Sequence, residues 1–268
     1  KESIDKHIED NQEAEPRSHL GASLIGRACK REIWYSFRWT KFPNHSARML
    51  RLFNRGHREE QRFEEWLSAI SEKFWAVHPE TNEQFRVSNL KGYFGGSLDG
   101  IVRNPAGIKG DFLTEFKTHS VKSFDKLVIQ GVKEAKPEHY VQMQIYLLHY
   151  PKLKGAIYMA IRKNDDELYV EFVERDEACA LENMHKAAEI LKSDMPPTRM
   201  DGAGPFNFYC KYFCDFADNC HKDASPHKSC RSCQEIRLTD DGWACNLTLE
   251  ILSSSQQIKG CDQYKRLF

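Results

Sequence analysis

Phe63, Trp66, Leu67 and Ile70 fall at i, i+3, i+4 and i+7, a spacing that predicts an amphipathic helix over residues 56–73. Upstream, residues 21–39 mix aromatic, basic and apolar side chains and read as a helix docked on a larger body. The period then changes. EQFRVS, GSLDGIVR and DFLTEFKT are short, strand-like and separated by Gly, Asn and Pro. A helical stretch follows from Lys122 to about Tyr150. GAIYMAIRK and ELYVEFVER flank Asn164-Asp165-Asp166 and predict a hairpin. Residues 176–193 repeat the amphipathic helical pattern, and Pro196-Pro197 ends it.

At both ends the pattern thins. Residues 1–20 are polar and are expected to form a tail or short cap. After Phe206 aliphatic residues are scarce until Ile236 while cysteines cluster. Such a segment seldom closes a core by apolar burial alone, and metal is the usual substitute. The pattern predicts an α/β (α+β) fold. Three regions are expected: the tail over 1–20, a main domain over 21–225, and a zinc-ribbon-like module over 226–268.

Composition narrows the function. The chain has 268 residues, 40% of them apolar, enough for one sizeable core. It has no apolar run long enough to span a bilayer, and KESIDKHIED lacks the apolar stretch of a secretory signal, so a soluble cytoplasmic protein is expected. Lys plus Arg and Asp plus Glu both number 39, which argues against a histone-like coat but leaves room for a local basic groove. Nine cysteines without a signal point to metal rather than disulfides, and an odd total leaves one outside any four-ligand sets. Cys179, on the 176–193 helix, is expected to be a plain buried thiol.

The candidate chemistry lies in the middle strands. Alternation along LTEFKT puts Leu113, Glu115 and Lys117 on one face and Thr114, Phe116 and Thr118 on the other. Asp99 reads as mid-strand among Gly95, Gly96 and Gly100, which let a backbone or ligand come close. Two carboxylates and an ammonium on neighbouring strands are costly to bury, and Mg²⁺ or Mn²⁺ with oxygen ligands would offset the cost. On the helix read as opening at Gly56-His57, His57, Glu60 and Glu64 lie within about 60° of one another. In HYVQMQIYLLHY, Gln142 and Tyr146 share a face with His139 and His149 close to the same line, a polar strip on a mostly apolar helix.

Asp99, fifteen intervening residues, then Glu115-Phe116-Lys117 resembles the D…ExK signature of PD-(D/E)xK nucleases, and Gln142 with Tyr146 resembles the QxxxY motif of RecB-type members. The resemblance spans residues 21–225 with its elements in family order. It implies a restriction-endonuclease-like core, a central mixed sheet flanked by helices, that hydrolyses DNA phosphodiesters. Asp99 and Glu115 would hold one or two divalent ions, with His57 and the Phe116 carbonyl as further ligands. Lys117 would orient or activate the attacking water, and Gln142 and Tyr146 would lie beside the site. ASLIGRACKREIWYSFRW, RGHREE and KPEHYVQMQIY also look like exonucleases carried by bacteriophages beside recombination genes. That implies action in a bacterial or phage-infected cell, with a single-strand annealing protein or recombinase as partner. A structure-specific endonuclease, and a DNA-binding module that keeps the fold without cutting, are the alternatives. Arg31, Trp34, Arg38 and Arg58 are candidates for stacking on or neutralising DNA, or equally for ordinary packing.

The cysteines form two groups. Cys210-x₃-Cys214-x₅-Cys220 needs a fourth ligand, and Cys29 is the natural candidate. This resembles iron–sulfur RecB-type nucleases, in which one cysteine before the core and three after it hold a [4Fe-4S] cluster. The x₃ spacing departs from the usual x₂, which keeps Zn²⁺ as the alternative. Cys230-x₂-Cys233 with Cys245 and Cys261 reads as a small zinc site packed by Trp243 and the strand-like TLEILSS, with His221 or His227 as substitute ligands.

Overall fold

The computed structural model describes residues 1–12 and 15–268. In chain order its elements are α1 (Glu2–Asp10), β1 (Leu20–Gly21), α2 (Ala22–Ile25), α3 (Lys30–Phe37), α4 (Ala47–Ile70), β2 (Lys73–Trp75), β3 (Arg86–Asn89), β4 (Phe94–Ser97) and β5 (Gly100–Arg103). Then come β6 (Asp111–His119), α5 (Val121–Ala135), α6 (Pro137–His149), β7 (Gly155–Arg162), β8 (Leu168–Glu174) and α7 (Glu177–Lys192). The last are α8 (Phe208–Tyr212), α9 (Ala217–His221), β9 (Ile236–Leu238), β10 (Trp243–Cys245) and α10 (Ser254–Lys259). No helix among the described residues is long and apolar enough to cross a membrane.

The chain divides into two compact units that do not follow chain order. The first is Lys1–Glu13, His45–Val87 and Gly95–Met184; the second is Ala14–Asn44, Ser88–Phe94 and His185–Phe268.

The first unit is a mixed sheet flanked by helices. Its five strands run in the order β2-β5-β6-β7-β8. β6 and β7 are parallel, with Glu115 opposite Tyr158, and the other pairs are antiparallel. α5 and α6 form the crossover that a parallel pair requires. The helical stretch expected from Lys122 to Tyr150 is therefore two helices, parted at Lys136 where Pro137 opens α6. On one face, Phe63 and Leu67 of α4 pack on Val102, Phe112, Phe116, Ile157, Met159 and Ile161. Phe63 stacks on Phe116 with centroids 4.9 Å apart. The buried face of α6 includes Met143 and Leu147. The hairpin β7–β8 turns at Asn164-Asp165-Asp166, with Asp166 at φ 60°.

Two readings of the ends change. α4 begins at Ala47, not at Gly56: the Ser46 hydroxyl accepts from the Met49 N–H and caps it. Gly56 lies in the helix interior, where it costs about 1 kcal/mol relative to Ala. The expected polar tail carries α1, which is tied to α4 by Arg51 to Asp5 at 2.6 Å and by the Ala47 N–H to Glu9 Oε1 at 2.7 Å. Residues 13 and 14 of that segment lie outside the described residues.

The second unit is built from short elements. Its interior stacks cations on rings: Arg231 sits 3.7 Å from the Trp39 centroid and 4.9 Å from that of Trp243. Arg38 lies 5.1 Å from the Trp34 ring and 4.9 Å from Trp243. Arg231 also donates to the Phe37 and Ser18 carbonyls and to Gln257 Oε1. Trp34 and Arg38, candidates for DNA contact by sequence, are thus interior residues; Trp34 Nε1 donates to the Ser193 carbonyl at 2.8 Å. Arg31 donates to the Pro197 carbonyl and to the Tyr35 hydroxyl, while Arg58 is exposed. β9 and β10 pair antiparallel. TLEILSS forms no strand beyond the single bridge of Ile251 to Ala244.

Candidate active site

β6 delivers Glu115 and Lys117 to the middle of the first unit. Alternation and flanking strands leave Glu115 fully buried, and the Lys117 ammonium reaches back to Glu115 Oε1 and, at 3.0 Å, to the Phe116 carbonyl. Asp99 is not mid-strand. It sits in a break between β4 and β5. The reason is local: the antiparallel ladder of β5 with β6 runs out at Gly100 opposite Thr114. Past that point the Asp99 carboxylate replaces a backbone acceptor and takes the Phe116 N–H at 2.7 Å. The break therefore fixes Asp99 beside Glu115 and Lys117.

α6 supplies the other wall. Gln142 Nε2 donates to Glu115 Oε2 at 3.2 Å and lies 3.2 Å from the Tyr146 hydroxyl. The glycine before Asp99 serves this packing. A Cβ on Gly96 would run into the Tyr146 hydroxyl, and one on Gly100 would run into the Phe74 ring. Side chains of the chain itself make the close approach that the glycines permit. His149 turns away and bonds its own helix at the Ile145 carbonyl. His139 faces inward, with Nδ1 2.9 Å from the Tyr158 hydroxyl, which also lies 2.8 Å from His119 Nε2. Ser123 Oγ is 3.4 Å from His119 Nδ1 and accepts from Lys136 at 2.5 Å.

The electrostatics follow from crowding. Burial pushes the Glu115 carboxyl up to about 7, and Asp99 and Glu60 add to the rise while Lys117 opposes it. Burial would lower Lys117, but Glu115, Asp99 and Glu60 outweigh it and hold the amine protonated, up to about 12. Glu60 is raised by burial and by Asp99, and Glu64 by burial, Glu60 and Asp99. Four carboxylates thus feel one another around one ammonium. Glu60 is the member that sequence reasoning left without a role, although its place beside His57 and Glu64 on the helical wheel was the available signal. His57 stands further out: its side chain is 75% exposed and its Nδ1 is 3.5 Å from Glu60 Oε1. It lines the rim of a cavity shared with Glu60, Phe116 and Lys117.

In the second unit, Cys29 at the start of α3, Cys210 of α8, Cys214 and Cys220 of α9 line one small cavity. Burial lifts the Cys214 thiol to about 12, with Glu32, Cys29 and Cys210 adding to the rise. Cys230 is pushed up to about 11 by burial and then by Cys261, Cys233 and Cys245. All nine cysteines are free thiols. His221 lines the first cavity rather than joining the second group, and His227 stacks on Phe42 at 3.9 Å. Cys179 lies apart on α7, hydrogen-bonded to Asn183. Among the described residues, no three or more His, Cys, Asp or Glu side chains stand in the close arrangement of a preformed metal site.

No family model matches the chain, and no curated protein matches it. Among solved structures it is similar to the crystal structure of SSO0001, at 18% identity and a TM-score of 0.47, covering 84% of this chain and 94% of that one. It is similar also to an alkaline exonuclease, LHK-Exo, from Laribacter hongkongensis, at 18% identity and a TM-score of 0.45, covering 71% of this chain and 91% of that one. LHK-Exo in complex with dAMP matches at 17% identity and a TM-score of 0.43, with coverage of 71% and 91%. At this level of similarity the chemistry of the site rests on the chain's own residues.

Proposed function

We propose that the chain is a divalent-metal-dependent DNA exonuclease that hydrolyses phosphodiester bonds, with Asp99, Glu115 and Lys117 as its catalytic residues. The observation that carries this is the meeting of the Asp99 carboxylate with the Glu115–Lys117 pair across the strand break, braced from α6 by Gln142. The donor set fits a hard dication. Asp99, Glu115 and Glu60 crowd together with too little positive charge, and their mutual repulsion is what Mg²⁺ or Mn²⁺ relieves. Asp99 and Glu115 would hold the ion, with Glu60 and the Phe116 carbonyl as nearby oxygens and His57 at the rim. Such an ion supplies charge against the phosphoryl oxygens and a lowered pKa for water.

The chain's own groups do the rest. Lys117, kept as an ammonium by its carboxylate neighbours, donates to the phosphate and offsets developing negative charge. That assigns it an electrostatic role rather than a general-base one. Gln142 fixes one oxygen of Glu115, and the Tyr146 hydroxyl beside Gln142 leaves its amide little freedom to rotate. Phe116, locked under Phe63, holds the β6 backbone at the register that presents both charged side chains.

The thiols belong to the same proposal. Cys29, Cys210, Cys214 and Cys220 would hold a [4Fe-4S] cluster, or Zn²⁺ in its place, and Cys230, Cys233, Cys245 and Cys261 a Zn²⁺. The support is donor chemistry: burial and then neighbouring thiols raise Cys214 in one group and Cys230 in the other, a cost that a bound cation removes. Absorption in the visible region separates the cluster from zinc, whose filled d shell gives none.

The experiment is cleavage of linear and closed circular duplex with Mg²⁺. The linear duplex should be degraded from its ends, EDTA should stop the reaction, and the circle should survive. Lys117→Ala should lower the rate by about 10²–10³-fold, the scale of one lost oxyanion donor, with DNA binding retained. Cleavage of the circle would turn the assignment to an endonuclease. Unchanged cutting by Lys117→Ala would remove the role given to that residue.

A further inference from the structure

The cavity beside Lys117 is larger than the carboxylate cluster requires. It has a volume of about 390 Å³, inside the range of roughly 300–1,000 Å³ typical of small-molecule sites. One stripe of α4 lines it: Met49, Leu52 and Phe53, then Gly56, then Glu60. The stripe runs from an apolar wall to the charged site. Met49 is 38% exposed and Phe53 43% exposed, so the wall is open. His45 meets Phe53 edge to face at 5.0 Å and steadies the ring.

Two further observations point to a ligand. Gly56 has no packing reason to be glycine: a Cβ there would meet nothing within 4 Å, and its φ is helical. Its absent side chain leaves the middle of the stripe hollow. Across the cavity stands Lys163, with Arg55 donating to its carbonyl at 2.7 Å. An ammonium beside an open apolar wall suits an aromatic ring carrying a phosphate.

We propose that this cavity is the subsite for the terminal deoxynucleotide of the strand being cut, with its base against Phe53 and Met49 and a phosphate drawn to Lys163. The assignment rests on the nuclease reading of the adjoining carboxylates. The apolar wall carries no amide or carboxylate fork to read base edges, so the subsite accepts any base.

The test is calorimetric titration of the full chain with dAMP and with dCMP in Ca²⁺, together with Michaelis constants on linear duplex in Mg²⁺. The variants are Phe53→Ala, Lys163→Met and Gly56→Leu, the last filling the hollow in a helix that tolerates Leu better than Gly. Thermal melting checks that each folds. Wild type should bind both nucleotides alike, and each variant should weaken binding about 10-fold, as stacking of one base is worth roughly 1–3 kcal/mol. KM should rise with little change in kcat. Wild-type dAMP binding by Phe53→Ala and Gly56→Leu would overturn the subsite even if the chain cuts DNA. A chain that binds dAMP through Phe53 yet cuts nothing would sink the nuclease reading and, with it, the assignment to a strand being cut, leaving only a nucleotide pocket.

Discussion

The two units solve the problem of burying charge in opposite ways. In the sheet unit an apolar layer of Phe63, Leu67, Phe112, Phe116 and Met159 is complete without the charged site, which Glu115, Asp99 and Lys117 form above it. Charge there is an addition to a core that already closes. In the other unit charge is the core: Arg231 and Arg38 lie between Trp34, Trp39 and Trp243, and every cysteine but Cys179 lies in this unit. Burial lowers Arg231 to about 9, a measure of what that interior costs its cations. The difference teaches where added ligands matter. A dication at the sheet site would serve chemistry, whereas metal at the thiols would serve folding.

The sharpest break of this comparison is to remove one thiol. Cys214→Ser should strip hydrogen-exchange protection from α3, α8 and α9 while the amides of β6 and β7 stay protected. The effect should be the largest of all, because a group held by four thiolates contributes folding free energy directly, roughly 10–16 kcal/mol where it is structural zinc. Protection falling equally in both units would mean that the thiols do not hold the second unit separately. Next in size is Phe63→Ala. Phe63 is fully buried against Phe116, and its loss should cost about 3–5 kcal/mol. Urea titration followed by exchange at β6 should place that loss in the sheet unit and leave α8 and α9 as they were.

How much of this could be read from the residues depends on how local each feature is. Alternation alone put Glu115 and Lys117 together, and the i, i+4 spacing put Gln142 and Tyr146 on one line, because both follow from backbone period. The start of α4 was misread because Gly56 looks like punctuation, and only the open space around it shows that the helix passes through. The break at Asp99 was invisible because it is made by the Phe116 N–H, on a different strand. Trp34 and Arg38 looked like a nucleic-acid face for the same reason: residues far along the chain, Ser193 and Trp243, cover them. The division into units was out of reach altogether, since each unit gathers segments from distant parts of the chain.

The smallest predicted effect is a slope, and its sign decides whether the sheet unit also carries buried neutral imidazoles that earn no charge. Burial, followed by Lys136, holds His119 down to about 3, and burial and Lys117 hold His139 well below 6.5. Both are depressed in the folded chain, so the unfolded chain binds more protons below 6.5, and stability falls as the solution is acidified. Glu115 works the other way in metal-free protein. Its carboxyl is raised from 4.5 to about 7, so it favours the folded chain as pH falls through that window. Two histidines oppose Glu115, with the raised carboxyls of Glu60 and Glu64 on its side, each limited to about 1.4 kcal/mol per pH unit. In EDTA between pH 6.5 and 5 the histidines pull the urea midpoint of the sheet unit down on acidification. In His119→Gln/His139→Gln that pull should be lost, so the midpoint should fall less than in the parent chain, or rise, over the same window. An identical slope in the double variant would mean that burial beside the Tyr158 hydroxyl, 2.8 and 2.9 Å from the two rings, does not hold them neutral.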